Sequence, residues 1–339
     1  MTRSEVVRAV FMGVLVGFGA IQQTCCSEPV EGYEYRKPGS EAELRYWLQN
    51  MVWYYGFSVE EIEAATGLGA EEIRSNLEKF RITPETKPAR AKDASLVMLP
   101  WPGGRAVSNW GGEVEQTRQR ETKVGVFAPW DDTSFVVLDV PEAIHSNLGF
   151  IYLAHVHVET VWTKANVKLD KLEWNRRADG SLDLTRELPN GVVYSAKFIS
   201  FRNAVRMKLT LTNGTDATLS KLRVQNCIFL KNLKGFNKNT KIVTVKPYNA
   251  QGTADGTRWV ITAWLPGGLT WSNPKNPCFH SDPIFEDCPP DQTRVVYGWF
   301  SFYQGEDIKG EFERIDKTGW REDKWKNNPG WSEACERYR

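Results

Sequence analysis

Residues 181–201 read SLDLTRELPNGVVYSAKFISF, two runs alternating apolar and polar residues on either side of Asn190-Gly191. Alternation is the two-residue period of a half-buried strand, and Asn-Gly accepts the backbone of a tight hairpin turn. Just upstream, Asp179-Gly180 repeats the turn signal after VKLDKLEWNR, residues 167–176. Moving outward, the same texture continues through KVGVFAPW (123–130), SFVVLDV (134–140), FIYLAHVHVETVW (150–162) and VRMKLTLTNGTDATLSKLRVQNCIFL (205–230). RWVITAWL (258–265), RVVYGWFSFY (294–303) and KGEFERID (309–316) complete the set. Many short strands with scarcely a helical period after residue 96 give a mainly β chain folded as an antiparallel β-sandwich.

Ahead of the strands the period changes. Leu44, Trp47, Leu48, Met51 and Val52 recur at three- and four-residue intervals, an amphipathic helix. Ser58 with Glu61 three residues on forms a capping box for a second helix, Gly67 and Gly69 break it, and residues 70–80 form a third. This is a small N-terminal helical segment, residues 40–82. It is similar to a helix-turn-helix, but Glu71, Glu72 and Glu78 on the would-be recognition helix have the wrong sign for phosphates. The remaining divisions are a signal peptide over 1–26, linkers over 27–39 and 83–95, a sandwich over 96–316 and a Trp-rich tail over 317–339.

Arg3 and Arg8 precede an apolar run over residues 9–21, which has the length of a secretory h-region and is too short to span a bilayer. The expected location is therefore periplasmic or secreted. Ile-Gln-Gln-Thr before Cys25 lacks the small residues of a lipobox, which argues against a lipid anchor, and no later segment reads as transmembrane. With 43 basic against 42 acidic residues, the balance gives no support to a nucleic-acid partner. The 14 Trp, 16 Phe and 11 Tyr suit a heavy core or aromatic platforms for sugar rings.

Export makes a disulfide between Cys278 and Cys288, across the Pro-rich loop CFHSDPIFEDC, the expected pairing. Cys227 in VQNCIFL reads as a buried free thiol. Read as one long strand, 150–162 places His155, His157 and Glu159 on a common face, with Trp162 on the other. Two imidazoles at i and i+2 can grip one divalent metal ion, so His155 and His157 are candidate metal ligands. Without a metal, His155, His157 and Glu159, joined by His280 and Asp282 from the Cys278 loop, are candidate acid/base residues for a sugar substrate. Gln225, Asn226, Trp162 and Arg120 are candidate substrate contacts. Other carboxylates, Glu142 among them, sit in turn-like sequence. No P-loop, Gly-x-Ser-x-Gly or His-Glu-x-x-His occurs.

VRMKLTLTNGTDATLSKLRVQN, residues 205–226, resembles the strand–turn–strand of galactose-mutarotase-like supersandwich proteins. The resemblance implies a supersandwich-like fold and a carbohydrate ligand. The His-Pro that follows the second strand in that pattern is replaced here by Gln225, Asn226 and Cys227, so the epimerase reaction is not implied. The stretches over 120–162 and 276–288 are also similar to a group of exported bacterial proteins without an assigned activity. The sequence thus points to a secreted sandwich that binds or processes carbohydrate. Its alternatives are an envelope interaction module without catalysis, or a metal-dependent enzyme using His155 and His157.

Overall fold

A computed structural model describes residues 35–91, 93–105, 107–109, 112–114, 119–154, 158–236, 240–273 and 277–321. They belong to one compact unit, Tyr33–Arg339. Two antiparallel sheets dominate it. The first runs, in spatial order, through Met98–Pro100, Lys123–Phe127, Phe135–Ser146, Arg223–Phe229, Cys278–Pro283 and Gly267–Asn273, with Gly149–Leu153 pairing on Phe135–Ser146. The second runs through Lys241–Val245, Tyr248–Gly252, Arg258–Leu265, Thr293–Gln304, Ala204–Thr212, Val193–Ser200, Leu182–Glu187 and Asn175–Arg176. Among the described residues no helix is long and apolar enough to cross a membrane.

Alternation decides which side chains meet between the sheets. Along Val193–Ser200, Tyr194, Ala196 and Phe198 are buried while Ser195 and Lys197 point away. They meet Val124, Leu138, Val224, Ile228 and Phe279 of the first sheet in one apolar core. Each such side chain contributes about 1.5–3 kcal/mol on burial. Gly180 and Gly191 hold φ of 79° and 85° in the turns that join the three paired strands from Asn175 to Ser200. Those hairpins are where Asp-Gly and Asn-Gly place them.

Four strand or loop readings are corrected. The strand starting at Gly149 stops at Leu153, because the edge it pairs with is already taken: beyond Glu142 the Val140 N–H donates to the Thr122 carbonyl at 3.2 Å and Lys123 pairs with Asp139. The Ala154 N–H donates to the Glu142 carbonyl at 2.8 Å. Thr160 then caps a short helix, Val161–Lys164. His155 and His157 lie outside the described residues. In 167–176 only Asn175–Arg176 is strand. Residues read as the strand KGEFERID form the helix Ile308–Asp316, since Ile308, Phe312 and Ile315 recur at helical spacing. That stripe packs with Tyr248, Ile261, Trp299 and Trp320 on the outer face of the second sheet. Finally, 278–288 is not a disulfide loop. Cys278–Pro283 is a strand in mid-sheet, and Cys278 and Cys288 are both free thiols. Cys288 is tied elsewhere, exchanging backbone bonds with Leu219 and giving its thiol to the Gln292 carbonyl at 3.1 Å.

The helices Glu41–Gln49, Val59–Thr66 and Ala70–Phe80 lie against the outer face of the first sheet. A π-helical stretch, Asn50–Tyr55, extends the first helix, and the Ser58–Glu61 capping box opens the second. Tyr55 anchors this layer. Its ring meets Trp101, Phe127 and Phe135 at centroid distances of 5.0, 5.2 and 5.2 Å, and its hydroxyl donates to the Leu99 carbonyl at 2.9 Å. It rests on Gly125, where a Cβ would come within 2.2 Å of the Tyr55 hydroxyl. Gly125→Ala is therefore expected to cost about 1–3 kcal/mol through overpacking. A urea titration checks this, and an unchanged midpoint would show that Tyr55 gives way freely.

Candidate functional site

The far end of that same outer face is left open by the helices. On Cys278–Pro283 the period of two brings Cys278, His280 and Asp282 out together. The neighbouring strands supply their cross-strand partners. Cys227 and Trp271 stand opposite His280 from the two sides, and Leu269 stands opposite Asp282. The Phe135–Ser146 strand adds a bulge. Between the pairs Cys227–Asp139 and Gln225–Ala143, the residues Val140, Pro141 and Glu142 face Asn226 alone. Surplus residues re-aim a strand. Here the bulge brings Glu142 within 3.9 Å of the His280 ring.

His280 is the hub. Its Nδ1 stands 3.9 Å from a carboxylate oxygen of Glu142 and 3.9 Å from one of Asp282. Its Nε2 is 3.5 Å from the Cys278 sulfur, and Trp271 stacks flat on the ring at 3.7 Å. Asp282 is held from two directions, accepting from the Asn226 backbone N–H at 2.9 Å and the Trp271 indole N–H at 2.7 Å. Glu142 accepts from the Gln225 amide at 2.8 Å. Among the atoms of this cluster, Nδ1 of His280 is buried and has no hydrogen-bond partner among the described residues.

The electrostatics follow from burial and crowding. Burial, reinforced by Asp139, raises the Glu142 carboxyl to about 7, and burial likewise raises Asp282. The hydrogen bond from Cys227, with His280 beside it, lowers the Cys278 thiol to about 6. Cys227 moves the other way, well up, through that shared hydrogen bond and burial. For His280 burial favours the neutral ring, but Cys278, Glu142 and Asp282 together outweigh it and raise its pKa.

Beside this cluster opens a cleft of about 440 Å³, lined among others by Phe150, Arg223, Gln225, Leu269, Asp282 and Ile284. Its floor is polar and its rim is apolar. Leu269 is 63% exposed and Ile284 43% exposed, and Phe150 forms an edge-to-face pair with His145 at 5.2 Å.

The structure therefore brings together three of the side chains singled out in the sequence, His280, Asp282 and Gln225, while Asn226 reaches them through its backbone N–H and turns its amide to the inner face with Val224 and Ile228. It places others away from them. Glu159 is exposed, outside any strand, next to the cap of the Val161–Lys164 helix. Trp162 is buried and donates its indole N–H to the Ile151 carbonyl at 2.7 Å, so it offers no face to a sugar. Arg120 is also structural. It is buried over the Trp47 ring at 4.3 Å and paired with Glu173 at 2.9 Å, beside a separate cavity of about 60 Å³. His155 and His157, as catalytic residues or metal ligands, lie outside the described residues, as do Arg3, Arg8 and Cys25. Sequence reasoning missed Glu142, Cys227 and Trp271. For Glu142 the available signal was Pro141, a strand interruption inside an otherwise apolar run.

No protein-family model matches the chain, and no curated protein matches it. Among solved structures, a protein named as a kojibiose phosphorylase from human microbiome matches with a TM-score of 0.35 at 7% identity. That match covers 64% of this chain and 28% of the phosphorylase chain, so the chain spans little more than a quarter of that protein's length. The Slr1438 protein from Synechocystis sp. PCC 6803 matches with a TM-score of 0.33 at 10% identity, over 64% of this chain and 97% of that one.

Proposed function

We propose that this protein binds carbohydrate in the cleft beside Asp282. A sugar offers hydroxyl groups along its edges and apolar C–H surface on its ring faces. The cleft offers the complement: the Asp282 carboxylate and Gln225 amide at its floor, with Leu269, Ile284 and Phe150 at its rim. The observation that carries the proposal is this exposed apolar rim around a polar floor. A groove of about 490 Å³ beside Tyr54 and Lys87 is as large, and it is the alternative place for a ligand. The proposal also places the protein in the periplasm or outside the cell, on the strength of Arg3, Arg8 and the apolar run after them. Cell fractionation checks that part independently.

A glycan array on the purified protein tests the binding. Leu269→Arg then tests the place. An exposed substitution of this kind leaves stability within about 0.5 kcal/mol, yet its side chain fills the cleft mouth, so retained glycans are expected to be lost at an unchanged unfolding midpoint. An array with no retained glycan, or a variant that binds as the parent does, overturns the proposal.

A further inference from the structure

We infer that Cys227, Cys278 and His280 form a binding site for one zinc-like divalent metal ion, with a fourth position open to a small ligand. Their three donor atoms, two sulfurs and one ring nitrogen, lie within 4.8 Å of one another. Tetrahedral zinc, with bonds of about 2.3 Å to sulfur and about 2.0 Å to nitrogen, sets S···N near roughly 3.5 Å and S···S near roughly 3.8 Å. The Cys278–His280 separation is 3.5 Å, so that edge of the tetrahedron already has its length. Cys278 and His280 are i and i+2 on one strand, and Cys227 is the cross-strand neighbour of His280. The rigid sheet therefore presents all three without any loop having to close.

The surroundings have the form that a metal-bound histidine needs. An imidazole that ligates through one nitrogen gives its other N–H to a carboxylate, which fixes the ring and strengthens the ligand. With Nε2 directed at the thiols, the Nδ1 of His280 is aimed between Glu142 and Asp282, 3.9 Å from each, and otherwise unpaired. Trp271 holds the ring plane by stacking on it, while its indole N–H holds Asp282 in place. Two thiolates and one imidazole are a soft donor set that selects zinc over magnesium or calcium. Three protein ligands leave the fourth corner free for a small ligand. In an oxidising compartment two thiols this close pair with each other unless a metal claims them. This inference shares Asp282 with the carbohydrate reading but does not depend on it.

The test uses the full chain, purified with reductant and then freed of it. Elemental analysis is expected to give one zinc per chain. Replacement by Co(II) is expected to give the intense near-ultraviolet thiolate-to-cobalt band together with the visible bands of a tetrahedral site, a readout that requires no variant. Cys278→Ser and Cys227→Ser should each lose the metal. Asp282→Asn, which touches no ligand atom directly, should weaken it about 10- to 100-fold. Absence of stoichiometric zinc after incubation with the ion, a cobalt spectrum without the thiolate band, or recovery of a Cys227–Cys278 disulfide in place of metal each overturns the site. Glycan binding that survives metal removal leaves the cleft proposal standing alone, and metal without any glycan leaves the zinc site standing alone.

Discussion

Replacing Lys123 by methionine is expected to destabilise the fold by about 3–5 kcal/mol, the usual consequence of stranding one member of a buried ion pair. Lys123 Nζ lies 3.0 Å from Asp139, and the two side chains are only 4% and 5% exposed. Thr122 donates to the other Asp139 oxygen at 2.5 Å. Asp139 is also the cross-strand partner of Cys227 and one cause of the raised Glu142 carboxyl. Without Lys123, the Asp139 carboxylate keeps its burial and loses the ammonium 3.0 Å away, beside a second carboxyl that is already crowded. Urea denaturation should show the loss. Adding Asp139→Leu to Lys123→Met should restore most of it, since an apolar pair of similar volume leaves no stranded charge. A single variant within about 1 kcal/mol of the parent would mean that water reaches this pair.

Trp101→Ala carries the second large effect. Trp101 is fully buried where the helical layer meets the first sheet, with Tyr55 edge-on at 5.0 Å, Phe57 at 5.8 Å and Phe135 at 6.0 Å. Truncation of a buried tryptophan costs about 3–5 kcal/mol, because neighbours collapse only partly into the space. The loss should appear as helices loosening from the sheet. Limited proteolysis within 81–95 is expected to accelerate, and Trp101→Phe should recover part of the protection. Equal cleavage of Trp101→Ala and parent chains would show that the helices hold without this cluster.

The architecture was legible because it rests on local rules. Alternation and the Asp-Gly and Asn-Gly turns recover the hairpins from Asn175 to Ser200, and a capping box at Ser58 recovers a helix start. Those signals lie within a few residues of one another. The site was legible only by half. The reasoning that two ligands at i and i+2 on a strand share a face was applied to His155 and His157, yet the described strand ends at Leu153. The same spacing occurs at Cys278 and His280, where two cysteines bracketing prolines had suggested a disulfide loop. What decides between the two is which strand has partners on both sides. That is long-range information: Cys278–Pro283 sits between Arg223–Phe229 and Gly267–Asn273, whereas Gly149–Leu153 has, among the described residues, one neighbouring strand, whose edge beyond Glu142 is taken by Lys123–Phe127. Glu142 was hidden for the same reason, since its approach to His280 comes from a bulge defined by pairing with Asn226.

The central claim is that the open end of the first sheet's outer face is where this protein meets its ligand. A crystal structure of the full chain soaked with the tightest-binding glycan from the array tests it most directly. The account predicts sugar density in the cleft between Leu269, Phe150 and Ile284, with a hydroxyl in hydrogen-bond reach of Asp282. Density instead in the groove beside Tyr54 and Lys87, or against the tryptophans of 322–339, would contradict it.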